Sequence, residues 1–224
     1  MHRCAVGLSI LMLCPAAALA GESLSVDLLA SADGEVQFSG TLGFEAFDAN
    51  PSLRTARSGG NNVRHAIYEF DLSSIPADAT ITGATLRLTT FGLISNTQAT
   101  ANIDFFAWQG DGVITVEDHG DQAMPFGSLI AQEEYDAGGG GVPSNTLLDV
   151  PFDSLSVLQT AIDDNASFLS VRSETFNFAT FQIHSLETTN SAVLRPTLVV
   201  EYIPTPGTAA LLALGGLAAT RRRR

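Results

Sequence analysis

The 224-residue chain predicts an all-β fold, an antiparallel β-sandwich with one short helix, flanked at both ends by segments that address it rather than build it. Three observations carry this expectation. Apolar residues recur with period two over most of the chain, as they do when alternate side chains face a core. Clusters of Gly, Asn, Asp and Pro at 48–51, 58–62 and 138–143 cut those runs short. Helical spacing occurs in a single stretch. Two sheets closed face to face bury one side of each, which suits many short strands.

In order along the chain, residues 24–29, 35–38, 64–70, 80–89 and 103–107 read as strands. So do 146–152, 168–171, 176–183 and 197–202. In 80–89 the set Ala84, Leu86, Leu88 is expected to face the core, with Ile81 and Thr85 on the other face. Val157, Leu158, Ala161 and Ile162 form the helical stretch, with Asp153 or Ser154 as its cap. No period of 20 to 50 residues repeats, which argues against solenoids and propellers.

The two ends differ from the middle. Arg3 followed by an apolar run from Ala5 to Leu13, then Ala18-Leu19-Ala20 before Gly21, reads as a secretory signal peptide over residues 1–20. Cys14 follows Leu13 and precedes Pro15, a poor setting for lipidation. At the other end Pro204-Thr205-Pro206 leads into an uncharged run to Thr220 and then Arg221, Arg222, Arg223 and Arg224. About 14 apolar residues rising ~1.5 Å each fall short of a ~30 Å hydrocarbon core, and snorkelling arginines narrow the gap. The expectation is a removable or weak membrane anchor with its arginines on the cytoplasmic side. Residues 21–203 are then the cargo.

Composition limits what the cargo does. Both cysteines, Cys4 and Cys14, lie in the leader, so disulfides, thiolate metal sites and cysteine nucleophiles are excluded from the cargo. Its 24 acids stand against six arginines, a formal charge of −18. Such a surface repels phosphate backbones and anionic headgroups, which argues against nucleic-acid binding. About 180 residues suffice for one core.

Two resemblances follow from these residues. The order of proline pair, small-residue apolar helix and terminal arginine cluster resembles a PEP-CTERM sorting tail over residues 204–224, with Thr205 where that family has glutamate. The resemblance implies recognition by an exosortase-type processing enzyme, tail removal, and delivery to the cell surface or extracellular matrix of a Gram-negative-type bacterium. The run from Arg64 to Leu88, with "FDLSSIP" and "ITGATLRL" in that order, and the closing Arg195-Pro196-Thr197-Leu198-Val199-Val200 resemble the DNRLRE domain family. That resemblance implies a jelly-roll-like β-sandwich of carbohydrate-binding-module type. The family's middle W-x-E and T-W pattern is missing from this chain.

Candidate chemistry is sparse. The run from Gly110 to Asp118 looks like the second half of a dockerin or EF-hand calcium loop, with Asp111, Gly112, Ile114 and Asp118 at the fifth, sixth, eighth and twelfth positions. Ala107 and Gln109 stand where the first oxygen ligands belong, so a tight turn between strands is expected. The acidic patch Asp111, Glu117, Asp118 and Asp121 remains a candidate for weak calcium binding. Glu133 or Glu134 with Asp149 could be drawn as a glycosidase pair, but nothing in the sequence brings them together. Zinc spacings and G-x-S-x-G are missing, so no catalytic residue is assigned and the chain is expected not to be an enzyme. His65 and His184 read as strand histidines. Among 13 phenylalanines, Phe105, Phe106, Phe168, Phe176, Phe178 and Phe181 are expected in the core. Trp108 and Tyr135 are the candidate stacking platform for an extracellular polysaccharide. The expected function is therefore an exported, non-enzymatic surface or matrix protein. The alternative is a secreted carbohydrate-binding module with a specific polysaccharide ligand.

Overall fold

The computed structural model describes residues 22–205, apart from 49, 60, 93, 97–99, 120–126, 138–140 and 189–191. The leader with Ala18, Ala20 and Gly21, the tail from Pro206 to Arg221, Arg222, Arg223 and Arg224, and Asp121 lie outside the described residues. Between them the chain is all-β with a single α-helix among the described residues.

Alternation builds the strands and the register joins them. One sheet runs β9 (Leu147–Pro151), β5 (Thr80–Thr89), β12 (Thr197–Ile203) and the first half of β1 (Leu24–Ser39), every pair antiparallel. The second runs β2 (Gly43–Phe47), the second half of β1, β4 (Asn62–Asp71), β10 (Phe168–Thr175), β7 (Thr100–Gly110) and β8 (Ser128–Asp136). The start of β4 also turns back onto β3 (Ser52–Ser58), which carries β11 (Ala179–His184) and the short β6 (Ser95–Asn96). A bridge from Thr90 to Ile183 ties β11 to the end of β5, so the sheet nearly closes on itself.

Between the layers lie Leu28, Tyr68, Phe70, Leu86, Leu88, Ile103, Phe105, Leu169, Val171, Phe181, Leu198 and Val200. The helix α1 (Ser156–Asp163) covers one end with Leu158, Ala161 and Ile162. Neither Asp153 nor Ser154 caps it. Leu155 holds the N-cap position without a side-chain bond, and Ser154 Oγ meets Ser156 Oγ instead. The helix is fixed from its middle, where Gln159 accepts from Ile81 N at 2.8 Å and donates to Ala79 O at 3.1 Å.

Two bulges change which residues face the core. On β5, Thr82 is an extra residue between the pairs Gly83–Glu201 and Ile81–Tyr202. This moves Ile81 onto the core face with Ala84, Leu86 and Leu88, where simple alternation put it outside. On β1, Ser31 is the extra residue, because Ala30 pairs with Phe70 and Ala32 with Glu69. Residues 26, 28 and 30 face the core before it; Gly34, Val36 and Phe38 face the outer side of the second sheet after it.

Phe176 and Phe178 are corrections to the expected core. Strand β11 begins only at Ala179, because Asn177 closes a turn: its Oδ1 accepts from Thr175 Oγ1 and its Nδ2 donates to Thr100 O. The two rings are 60% and 54% exposed. Phe181, by contrast, is fully buried, stacked on Tyr135 with centroids 5.7 Å apart and edge-on to Phe105. Phe181→Ala is therefore expected to cost about 3–5 kcal/mol of unfolding free energy in urea, and Phe178→Ala less than about 0.5 kcal/mol.

Candidate functional site

The register places an open polar groove where β1, β4, β3 and β11 lie side by side. Gln37 pairs with Arg64, Arg64 with Ala56, and Ala56 with Thr180, so one row crosses four strands. The pair Arg54–Gln182 extends it at one end and Ser58–Asn62 at the other. The groove encloses about 430 Å³ and is lined almost wholly by polar side chains. Its floor is held by Glu35, which is 3% exposed and accepts from Arg64 Nη1 at 2.5 Å and from Arg54 N at 2.9 Å. Among the described residues, Arg54 has no carboxylate within ion-pair distance. A cation without a counter-charge, flanked by amides and hydroxyls, can hold a hydroxylated or anionic ligand through directed hydrogen bonds.

A second polar layer lies on the outer face of the second sheet, under the segment from Asp111 to His119. Cross-strand rows build it: Gly34, Ile67, Arg172 and Phe106 in one, Ala32, Glu69, Ser170 and Trp108 in the next. Arg172 is fully buried, pairs with Glu174 at 2.5 Å and donates from Nη1 to Asp118 O at 3.0 Å. Its guanidinium lies 5.7 Å from the Phe106 ring centre and 5.6 Å from that of Trp108. Glu69 accepts from Ser170 Oγ at 2.5 Å, while its other oxygen lies against Gly110, where a Cβ would sit 2.2 Å away. A larger residue there would push the Glu69 carboxyl and the Ser170 hydroxyl out of their bond. Burial pushes the Glu69 carboxyl up to about 7, the Ser170 bond opposing this. Asp33, whose Oδ2 accepts from Leu186 N, is pushed up to about 7, also by burial.

The residues singled out in the sequence are dispersed. Trp108 lies half-buried on the outer face with Arg172 over its ring, whereas Tyr135 leans toward the core against Phe181. They do not share a platform. Asp111 closes a turn by accepting from Val113 N, and Gly112 takes φ +85°. That turn opens into a 3-10 turn (Val116–His119), not directly into another strand. Asp118 Oδ2 accepts from Thr115 N and Oγ1, and Glu117 is exposed. Among the described residues no three His, Cys, Asp or Glu side chains gather as a metal cluster. Asp149 pairs with Arg87 at the surface. His184 is buried with Thr188 Oγ1 on one nitrogen and Asn145 Oδ1 on the other. Pro204 and Thr205 follow β12, and Thr205 Oγ1 donates to Asp78 O. The groove itself was missed, because its strand β3, Ser-Leu-Arg-Thr-Ala-Arg-Ser, is too polar to read as a strand.

No family model and no curated protein matches this chain. Among solved structures it is similar to a chain described as "Structure of infectious bursal disease virus Gx strain", at 10% identity and a TM-score of 0.20. The match covers 81% of this chain and 38% of that one, and a likeness at this level carries no argument.

The Glu69 carboxyl gives a pH dependence of definite sign. A carboxyl raised in the fold stabilises fully below its unfolded value near 4.5, and that contribution is lost as pH climbs to about 7. Glu69→Gln should therefore gain stability relative to the parent chain between pH 4.5 and about 7 and hold that gain above it, measured by denaturant unfolding across pH.

Proposed function

We propose that this chain is an exported, non-enzymatic β-sandwich protein of the cell surface or extracellular matrix, with a jelly-roll-like body related to the DNRLRE domains. Its leader takes it out of the cytoplasm. Its tail holds it briefly at the inner membrane until an exosortase-type enzyme processes it. What supports this reading is the pairing of Leu24 with Tyr202, at the start of β1 and the end of β12. The described chain thus enters β1 and leaves β12 at the same end of the body, where a leader and a tail would both be attached. Among the described residues no helix is long and apolar enough to cross a membrane.

A second reading, a carbohydrate-binding module with a specific polysaccharide ligand, is favoured by the open groove at Arg54 and Arg64. Directed donors along a groove lined almost wholly by polar side chains suit a chain of hydroxyls better than a compact apolar ligand. This moves the proposed glycan contact from Trp108 and Tyr135 to β3 and β4.

Intact-mass measurement on protein from its native cell fraction tests the first reading: the expected species begins at Gly21 and ends near Pro204. A mature species that retains Met1 and the four terminal arginines would exclude it. For the second reading, glycan-array binding should fall about tenfold or more in Arg54→Ala, as when a charged hydrogen bond is lost. In Trp108→Ala it should stay within about twofold.

A further inference from the structure

The open groove is one stretch of a longer polar row. In register, Glu45 of β2 opposes Gln37 of β1, Gln37 opposes Arg64 of β4, Arg64 opposes Ala56 of β3, and Ala56 opposes Thr180 of β11. Opposed residues of an antiparallel pair point to the same side, so the row lies on one face. Four strand spacings make it about 19 Å from end to end.

An exposed phenylalanine stands at each side of that face. On β2, Phe47 opposes Glu35 and so shares the side from which Glu35 reaches Arg64; it is 37% exposed. Beyond β11, the chain leaving β5 runs alongside Gln182. Phe91 N and Gly92 N both donate to Gln182 O, and a Cβ on Gly92 would lie 2.6 Å from Gln182 Oε1. The Phe91 ring, 40% exposed, meets His184 edge-on at 5.0 Å. Gln182 and His184 are two residues apart on β11 and project to the same side, so this ring borders the wall that Gln182 gives the groove.

On the carbohydrate-binding reading of the groove, which this extends, we propose that the ligand is an extended run of pyranose units laid across the strands, with Phe47 and Phe91 as the stacking platforms at its two ends.

The middle and the ends of the row offer different chemistry. In the middle, Gln37, Arg54, Arg64 and Gln182 present directed polar groups. Glu35 fixes the two arginines by accepting from Arg64 Nη1 and Arg54 N, and Gln182 is fixed by donating to Ser52 Oγ at 2.9 Å. Donors held in place beforehand lose little freedom when a ligand arrives. A pyranose carries hydroxyls around its rim, which suit these groups, and C–H bonds on its flat faces, which suit an aromatic ring. A disaccharide seated in the middle is too short to reach both ends of a row of about 19 Å, so the rings act on longer chains. Phe44 stands on the other face of β2, against Phe38 and His119, and takes no part.

The full-length chain is measured against gluco-, manno-, xylo- and galacturono-oligosaccharides of two, four and six units, by microarray and titration calorimetry. The expected result is binding to at least one series, with affinity rising about tenfold or more from dimer to hexamer. Phe47→Leu and Phe91→Leu keep an apolar side chain without a ring. Each should weaken the hexamer about three- to tenfold and leave the dimer within about twofold, with the urea midpoint recorded to show that the fold is kept. Phe44→Leu should leave both ligands within about twofold. Binding to none of the series overturns the proposal together with the carbohydrate reading of the groove. Binding that falls in Arg54→Ala but is equal in the parent and both ring variants, or that does not grow with length, overturns the proposal alone.

Discussion

The architecture depends on one inserted residue. From Leu24 to Phe38 the even-numbered positions of β1 are small or apolar without a break, and a regular strand would turn all of them to one face. Ser31 interrupts the ladder at the point where β1 leaves β12 and joins β4, and its hydroxyl bonds Glu69 O at 3.1 Å. The alternation is thereby inverted. Val26, Leu28 and Ala30 serve the core, while Gly34, Val36 and Phe38 serve the far side of the second sheet. The odd set Asp33, Glu35 and Gln37 is turned inward instead. Both polar regions of the molecule draw on that inversion: Glu35 anchors Arg54 and Arg64 of the groove, and Val36 faces the outer side of the second sheet.

Turning acids inward has to be compensated locally. Glu35 has a backbone donor from Arg54 and a guanidinium from Arg64. Asp33 takes the Leu186 N–H, and burial pushes its carboxyl up to about 7. On the other face the buried Arg172 is met by Glu174, a backbone carbonyl and two aromatic rings. A desolvated guanidinium needs all of these, because losing one partner of a buried pair leaves a charge that costs several kcal/mol. In a body with 24 acids and six arginines, three of the six are thus bound up with the groove or with this layer.

Much of the fold was legible. Strand β5 lies where its alternation put it, and β4, β7, β9, β10 and β12 fall within a few residues of their expected spans. Two of the missed strands, β3 and β8, have separate physical causes. In β3 the two buried residues, Leu53 and Thr55, alternate with Arg54 and Ala56, so the apolar signal is one residue deep. In β8, Gln132, Glu133 and Glu134 favour helix in isolation, and pairing with β7 overrides that preference. Bulges are illegible for a different reason. Ser31 and Thr82 look like ordinary strand residues, and only the partner strand reveals the extra one. The same holds for the site. Trp108 and Tyr135 attract attention as aromatic residues, but neighbouring strands decide that one meets an arginine and the other the core.

The outer face of the second sheet imposes its own requirement on what covers it. Its rows mix apolar groups, Val36, Ile67 and Phe106, with donors that cannot be left dry, above all Arg172 and His65. A purely apolar strap would strand those donors, and a purely polar one would leave the apolar groups wet. The segment from Asp111 to His119 answers both demands in sequence order: Ile114 fills the space that Gly34 leaves, then the carbonyls of Asp118 and His119 meet Arg172 and His65. Its attachment consequently rests on a few directional contacts rather than on broad apolar burial.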